Sequence, residues 1–138
     1  MKGFLLDTNV ISELTRSRPE PKVGRWVEST DDKLLYLSVL TMGEIRKGIA
    51  ATPQPARRVG LETWLETVLR PWFVGRILPV DEVVADRWGL LAGAAGRPLP
   101  VIDGLLAATA LCHDLTLVTR NTRDLAGLPV GLFNPWEN

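Results

Sequence analysis

The sequence reads as an α/β protein built on a central parallel sheet of four to five short strands, with helices on both faces. Three observations carry that reading. Short apolar runs such as Phe4-Leu5-Leu6 and Leu34-Leu35-Tyr36-Leu37 lack clean polar alternation, as expected of strands covered on both sides. Segments of helical periodicity separate those runs, an order that produces parallel strands flanked by helices. Polar residues also gather just after the strands, where open α/β sheets bind their ligands.

The elements follow in order. Gly3 to Leu6 is a buried strand ending at Asp7, and residues 9–15 are helical, with Val10, Ile11 and Leu14 on one side. Pro19 and Pro21 interrupt the chain before a helix over 22–29 that carries Val23, Trp26 and Val27. Leu34 to Leu37 is the second strand. Ser38 or Thr41 can cap the helix that holds Glu44 in its first turn and ends near Ala51. Leu61, Trp64, Leu65, Val68, Leu69 and Trp72 then recur at spacings of three and four, defining one apolar helical face. Ile77 to Val80 is a short third strand, and a helix over 82–95 stops at Gly96, before Pro98 and Pro100. Ile102 to Cys112 is apolar almost all round and so belongs to a buried helix. Leu115 to Thr119 is the best strand, and Leu132 to Asn134 a last short one.

Length and composition bound the function. A chain of 138 residues, 46% hydrophobic, fits one domain over 1–138 with a proper core. Its 16 basic and 16 acidic residues cancel, so nucleic-acid binding must rest on a local patch. Arg120 and Arg123, after the strand ending at Thr119, are candidate phosphate contacts, and Arg46, Lys47, Arg57 and Arg58 could extend them. Cys112 and His113 are each the only residue of their type. That excludes an internal disulfide, zinc sites with several Cys or His ligands, and paired-histidine RNA cleavage. A charge comes too early at the N-terminus for a signal peptide, and no apolar run approaches the ~20 residues of a membrane span. A cytoplasmic protein is the expectation.

Count alone does not exclude nucleophile–His chemistry, but His113 sits at the end of an apolar helix, so acid–base or metal chemistry falls mostly to carboxylates. Asp7 follows the first strand and could simply cap the next helix. Glu44 could simply complement the dipole of its helix. Asp103 shares a helical face with Leu106, Ala107 and Ala110, where an ionised carboxylate needs a partner. Two carboxylates ~4 Å apart repel by about 4 kcal/mol at an effective dielectric of 20, so a cluster of three calls for protons or a cation. Oxygen ligands without His or Cys suit Mg²⁺ or Mn²⁺, and such an ion activates water against a phosphate.

Four blocks bear on the family: Phe4 through Glu13, Leu37 through Ile45 with Gly48-Ile49, Pro98 through Leu111, and Leu115 through Asp124. In these blocks the chain resembles the PIN-domain nucleases, specifically the VapC/FitB-like toxins of bacterial toxin–antitoxin pairs. The resemblance implies a PIN-like fold and a Mg²⁺- or Mn²⁺-dependent endoribonuclease that forms a homodimer. It also implies a VapB/FitA-like antitoxin that lays its C-terminal segment over the active site and supplies any contact with DNA. Carried over by position, Asp7, Glu44 and Asp103 are the acidic trio, catalytic and metal-binding. The fourth position falls on Asn121, where some members have Asp; Asp124 lies three residues on. Thr8 and Thr119 are hydroxyls suited to orienting the carboxylates.

Rival readings are an aspartyl phosphotransferase at Asp7, a nucleotide-binding domain, a catalytically silent PIN-like binding module and a structure-specific DNA nuclease. The first lacks a second Asp, because Asn9 stands two residues on, and the second lacks a Gly-rich phosphate loop. The Trp64/Trp72 stripe reads either as core packing or as a groove that receives the antitoxin or a second subunit.

Overall fold

A computed structural model describes residues 2–137 of the chain. Five parallel strands form one sheet in the order β3-β2-β1-β4-β5. They are β1 (Gly3–Leu6), β2 (Leu35–Ser38), β3 (Ile77–Leu78), β4 (Leu115–Val118) and β5 (Leu132–Phe133). The helices are α1 (Thr8–Leu14), α2 (Pro21–Ser29), α3 (Val39–Ala50), α4 (Pro55–Trp64), α5 (Arg70–Trp72), α6 (Glu82–Ala94) and α7 (Val101–Cys112).

Successive side chains of a strand point to opposite faces, and two cores result. Leu6, Leu35, Leu37 and Val118 pack with Val10, Ile11, Val23, Ile45, Leu69 and Phe73 on one face. Leu5, Leu115 and Leu117 pack on the other with Val84, Leu91, Leu106 and the alanines of α7. The absence of alternation in the apolar runs thus reflects helices on both sides.

The chain winds outward from β1 through β2 to β3, then returns to add β4 on the far side of β1. The reversal point lies between β1 and β4, and polar residues beyond their carboxyl ends face a shared crevice. Close packing brings these strands and helices together. A Cβ on Gly3 would lie 2.5 Å from the Leu34 carbonyl oxygen, and one on Gly104 would lie 3.0 Å from the Trp88 indole. Glycine at 104 therefore lets α7 seat against α6 one residue beyond Asp103.

One alternative is decided and two expectations need correction. Ser38, not Thr41, caps α3: its side chain accepts from the Leu40 amide at 3.0 Å. Thr41 is instead buried, its hydroxyl without a partner among the described residues. Because α3 starts at Val39, Glu44 stands in its second turn, so the first-turn dipole does not account for it. The apolar stripe of 61–72 also breaks phase. Leu65–Leu69 forms a π-helical turn between α4 and α5, and the extra residue rotates Val68 to the surface, 49% exposed.

The C-terminal end of that segment is tied down by Arg76, a residue that shows no periodic signal. Its guanidinium donates to the carbonyls of Asp32, Leu35 and Trp72 and lies 5.0 Å from the Phe73 ring centroid. These contacts join the entry to β2 with the entry to β3.

Candidate metal centre

Asp7 is the first residue past β1. Its amide donates to the Val118 carbonyl at 2.9 Å, which places it opposite Thr119 at the end of β4. Its carboxylate accepts from the Thr8 amide at 2.7 Å, capping α1, and from the Thr119 hydroxyl at 2.7 Å. The capping role is thus met, and it leaves the group buried at the reversal point. Glu44 comes from α3 and accepts from the Thr8 hydroxyl at 2.5 Å. Asp103 is the third residue of α7, half-buried, with no hydrogen-bond or ion-pair partner among the described residues.

All three acids, with Thr8, Asn9, Ser12, Asn121 and the turn Pro100–Ile102, line one open crevice of about 650 Å³. Asp124 does not line it. It stands on an adjoining shelf with Arg120, Arg123 and Glu137, although its charge still acts on Asp103. Thr119 is fully buried and serves as a node: besides donating to Asp7, it accepts from the Asn121 amide at 3.0 Å and from Asn9 Nδ2 at 3.4 Å.

The basic patch is less free than its composition suggests. Arg46 is paired with Glu66, which also holds Arg70. Arg57 and Arg58 donate to the carbonyls of Thr15 and Thr52. Trp72 packs tilted against Phe73, ring centroids 4.5 Å apart, beside the core. Trp64 shares the core but also walls a groove of about 110 Å³ with Ile11, Thr15 and Leu61, and this groove reaches Glu44.

Sequence reading overlooked Asn9 and Glu13. Asn9 Nδ2 lies 3.4 Å from Asp7, while its Oδ1 is buried without a hydrogen-bond partner among the described residues. Its position in the turn that Asp7 caps was the available signal. Ser12, one turn after Thr8 and on the same face, could have been found by helical spacing. Glu13 is buried by packing that no local pattern announces, and it accepts from the Glu20 amide at 2.8 Å and from Arg16 at 3.4 Å. Desolvation works to raise its pKa, but those donors outweigh it and hold the carboxyl below its ordinary value.

Asp7 and Asp103 shift the other way. Burial pushes Asp7 up against the opposing hydrogen bonds of Thr119 and Thr8, and the charge of Glu44 adds to the rise. Burial also raises Asp103, helped by repulsion from Asp7, Asp124 and Glu44. A raised carboxyl means that the folded chain binds the proton more tightly than the unfolded chain. The resulting stability is fully present below the ordinary value of 3.8 and is lost as pH rises through the folded value. At neutral pH the metal-free fold has therefore lost that stability, and Asp7→Asn, which can still cap α1, removes the cause. Asn also loses the bond accepted from Thr119, so the electrostatic effect is read from the pH trend: the Tm of Asp7→Asn relative to the parent, measured in EDTA, should fall from pH 7 toward pH 4. Calorimetry across that range checks it, and a Tm difference that does not change with pH would contradict the electrostatic account.

The donor set fits a hard cation. It consists of carboxylate and amide oxygens and, among the described residues, includes the orphaned Asn9 Oδ1 and one acid, Asp103, without a partner. Among the described residues no three acidic, His or Cys side chains cluster closely enough to hold one ion together. Mg²⁺ tolerates that, because it retains several waters and uses only one or two carboxylates.

These features define a class: a doubly wound α/β protein with carboxylates gathered where its parallel sheet reverses. The PIN domain family model matches residues 4–128, and the chain belongs to the PIN-domain family, in its VapC/FitB toxin branch. It is 40% identical over 138 residues to Toxin FitB of Neisseria gonorrhoeae, covering 98% of this chain and 99% of the relative. It is 37% identical over 137 residues to VapC ribonuclease Y4jK of Sinorhizobium fredii, covering 97% and 98%. The crystal structure of FitAcB from Neisseria gonorrhoeae superposes with a TM-score of 0.92 at 40% identity, covering 98% of this chain and 99% of that one. The structure of FitAB bound to an IR36 DNA fragment gives 0.90 at 39% identity, covering 96% and 95%.

Proposed function

We propose that this protein is the toxin of a toxin–antitoxin pair and acts as a metal-dependent endoribonuclease, with residues 1–138 working as one PIN domain. The observation that carries the reading is the shared crevice of Asp7, Glu44 and Asp103 at the sheet's reversal point, in a chain so close to a relative named a ribonuclease. Asp7 and Asp103 would hold Mg²⁺ or Mn²⁺, with Glu44 beside them and Asn121 or Asn9 completing the oxygen set. The bound ion supplies a water of lowered pKa and neutralises charge on the attacked phosphate.

The chain's own residues do the rest. Thr119 and the Thr8 amide hold Asp7 in one orientation, and the Thr8 hydroxyl does the same for Glu44. Preorganised groups of this kind need little rearrangement as charge develops. Raised proton affinity at Asp7 and Asp103 makes protons compete with the cation, so cleavage should increase with pH until both are ionised.

Control by a partner belongs to the same reading. A VapB/FitA-like antitoxin would place its C-terminal segment in the groove beside Trp64, which adjoins Glu44, and would supply any DNA contact, as FitAB suggests. A homodimer and a cytoplasmic setting complete the proposal. Among the described residues no helix is long and apolar enough to cross a membrane.

The test is metal removal. Purified protein incubated with total RNA and Mg²⁺ should cleave it, and EDTA should abolish cleavage, with Mn²⁺ restoring it. RNA left intact under all metal conditions would favour a silent binding module, and cleavage that survives EDTA would sink the metal proposal.

A further inference from the structure

The shelf next to the acid crevice is an open cavity of about 370 Å³ that shares Asn121 with it. Two cations stand on it, Arg120 and Arg123. Both are exposed, and neither has an acidic partner among the described residues. They differ in how they are held. The Arg120 guanidinium lies over the Trp136 ring, 5.2 Å from its centroid.

Trp136 is itself fixed. It packs half-buried against the core that includes Leu6 and Val118. Its amide donates to Asn134 Oδ1 at 2.9 Å, and its indole makes a weaker polar contact with the buried carboxylate of Glu13. A guanidinium held over such a platform still has donors to offer an oxyanion and loses less rotamer freedom on binding. The peptide that follows Arg120 is also anchored, by the Asn121 amide on the Thr119 hydroxyl. The charge is therefore presented at a set place beside the crevice. Asp124 and Glu137 line the same shelf, so no general positive field exists there, and only a positioned cation can recruit a phosphate.

We propose that the substrate strand passes from the acid crevice onto this shelf, where Arg120, held by Trp136, grips the RNA phosphate next to the one attacked. This rests on the endoribonuclease reading and adds a positioning residue to it. Arg120 holds the strand in register and takes no part in bond breaking.

Binding is separated from cleavage by working in an Asp103→Asn background with a short fluorescein-labelled single-stranded RNA and Mg²⁺, read by anisotropy. Adding Arg120→Ala should weaken binding about tenfold, the scale of one charge-assisted contact. It should also reduce the slope of log affinity against log salt by about 0.7, one phosphate's worth on a single strand. Arg120→Lys should restore the slope but only part of the affinity, because lysine keeps the charge without the planar stack. Trp136→Phe, checked by thermal melting for folding, should lose affinity with its slope nearly intact. Lys33→Ala, just before β2 and so at the opposite end of the sheet, is the control and should change neither. An Arg120→Ala affinity and slope equal to the parent's would overturn the proposal, as would an equal loss in Lys33→Ala. Cleavage by the chain with Asp103 intact is scored separately, so failure of the nuclease reading is distinguishable from failure of the shelf.

Discussion

Asp103→Asn is expected to reduce RNA cleavage on the order of a thousandfold, the scale seen when one member of a catalytic unit is removed. Its fold should be undisturbed. Asn nearly matches Asp in shape, and the Asp103 carboxylate has no hydrogen bond to lose among the described residues. Its charge is raised in energy by burial and by Asp7, Asp124 and Glu44, so losing it should leave the metal-free protein as stable or more stable at neutral pH. Mn²⁺ binding followed by titration calorimetry should weaken in parallel. The signature is opposite movement of activity and stability. An Asp103→Asn protein that cleaves RNA within tenfold of the parent would remove this residue from the site, and one that unfolds would show that its role is structural.

Thr119→Val should weaken both function and fold. The hydroxyl is fully buried and makes three contacts, donating to Asp7 and accepting from the Asn121 amide and Asn9. Valine matches its shape but leaves the buried Asp7 Oδ2 with only the long 3.4 Å contact to Asn9 and takes the acceptor from the Asn121 amide. With about 1–3 kcal/mol for each buried polar group left unsatisfied, a destabilisation of roughly 2–4 kcal/mol is expected. Loss of the donor that lowers Asp7's pKa pushes that group further up, so half-maximal cleavage should move to higher pH. Activity at neutral pH should drop about 10- to 100-fold, the usual cost of removing a group that orients a metal ligand. Thr119→Ser should restore all three properties, because it keeps the hydroxyl. If Val and Ser behave alike in the pH profile, the hydroxyl does not orient Asp7.

Much of the fold was legible because its signals are local. β1, β4, α6 and α7 lie within a residue or two of their expected bounds, marked by apolar runs and by Gly and Pro stops. The third strand was harder: only Ile77–Leu78 pairs, before Pro79, since a short edge strand is defined by its neighbour. The π turn at Leu65–Leu69 was invisible, because an i+5 bond leaves the residue types of an ordinary helix unchanged.

The acids show the same division. By itself the sequence determined which groups could do chemistry: one His and one Cys left carboxylates, and the four blocks of resemblance named Asp7, Glu44 and Asp103. Strand order is a long-range property, and it alone decided that the ends of β1 and β4 are neighbours and that Asp7 meets Thr119 across 112 residues. Tertiary packing also separated Asn121, which lines the crevice, from Asp124, which turns onto the shelf. It likewise set Arg120 on Trp136. Residue type sets what a side chain can bind; only the meeting of distant segments sets what stands within its reach.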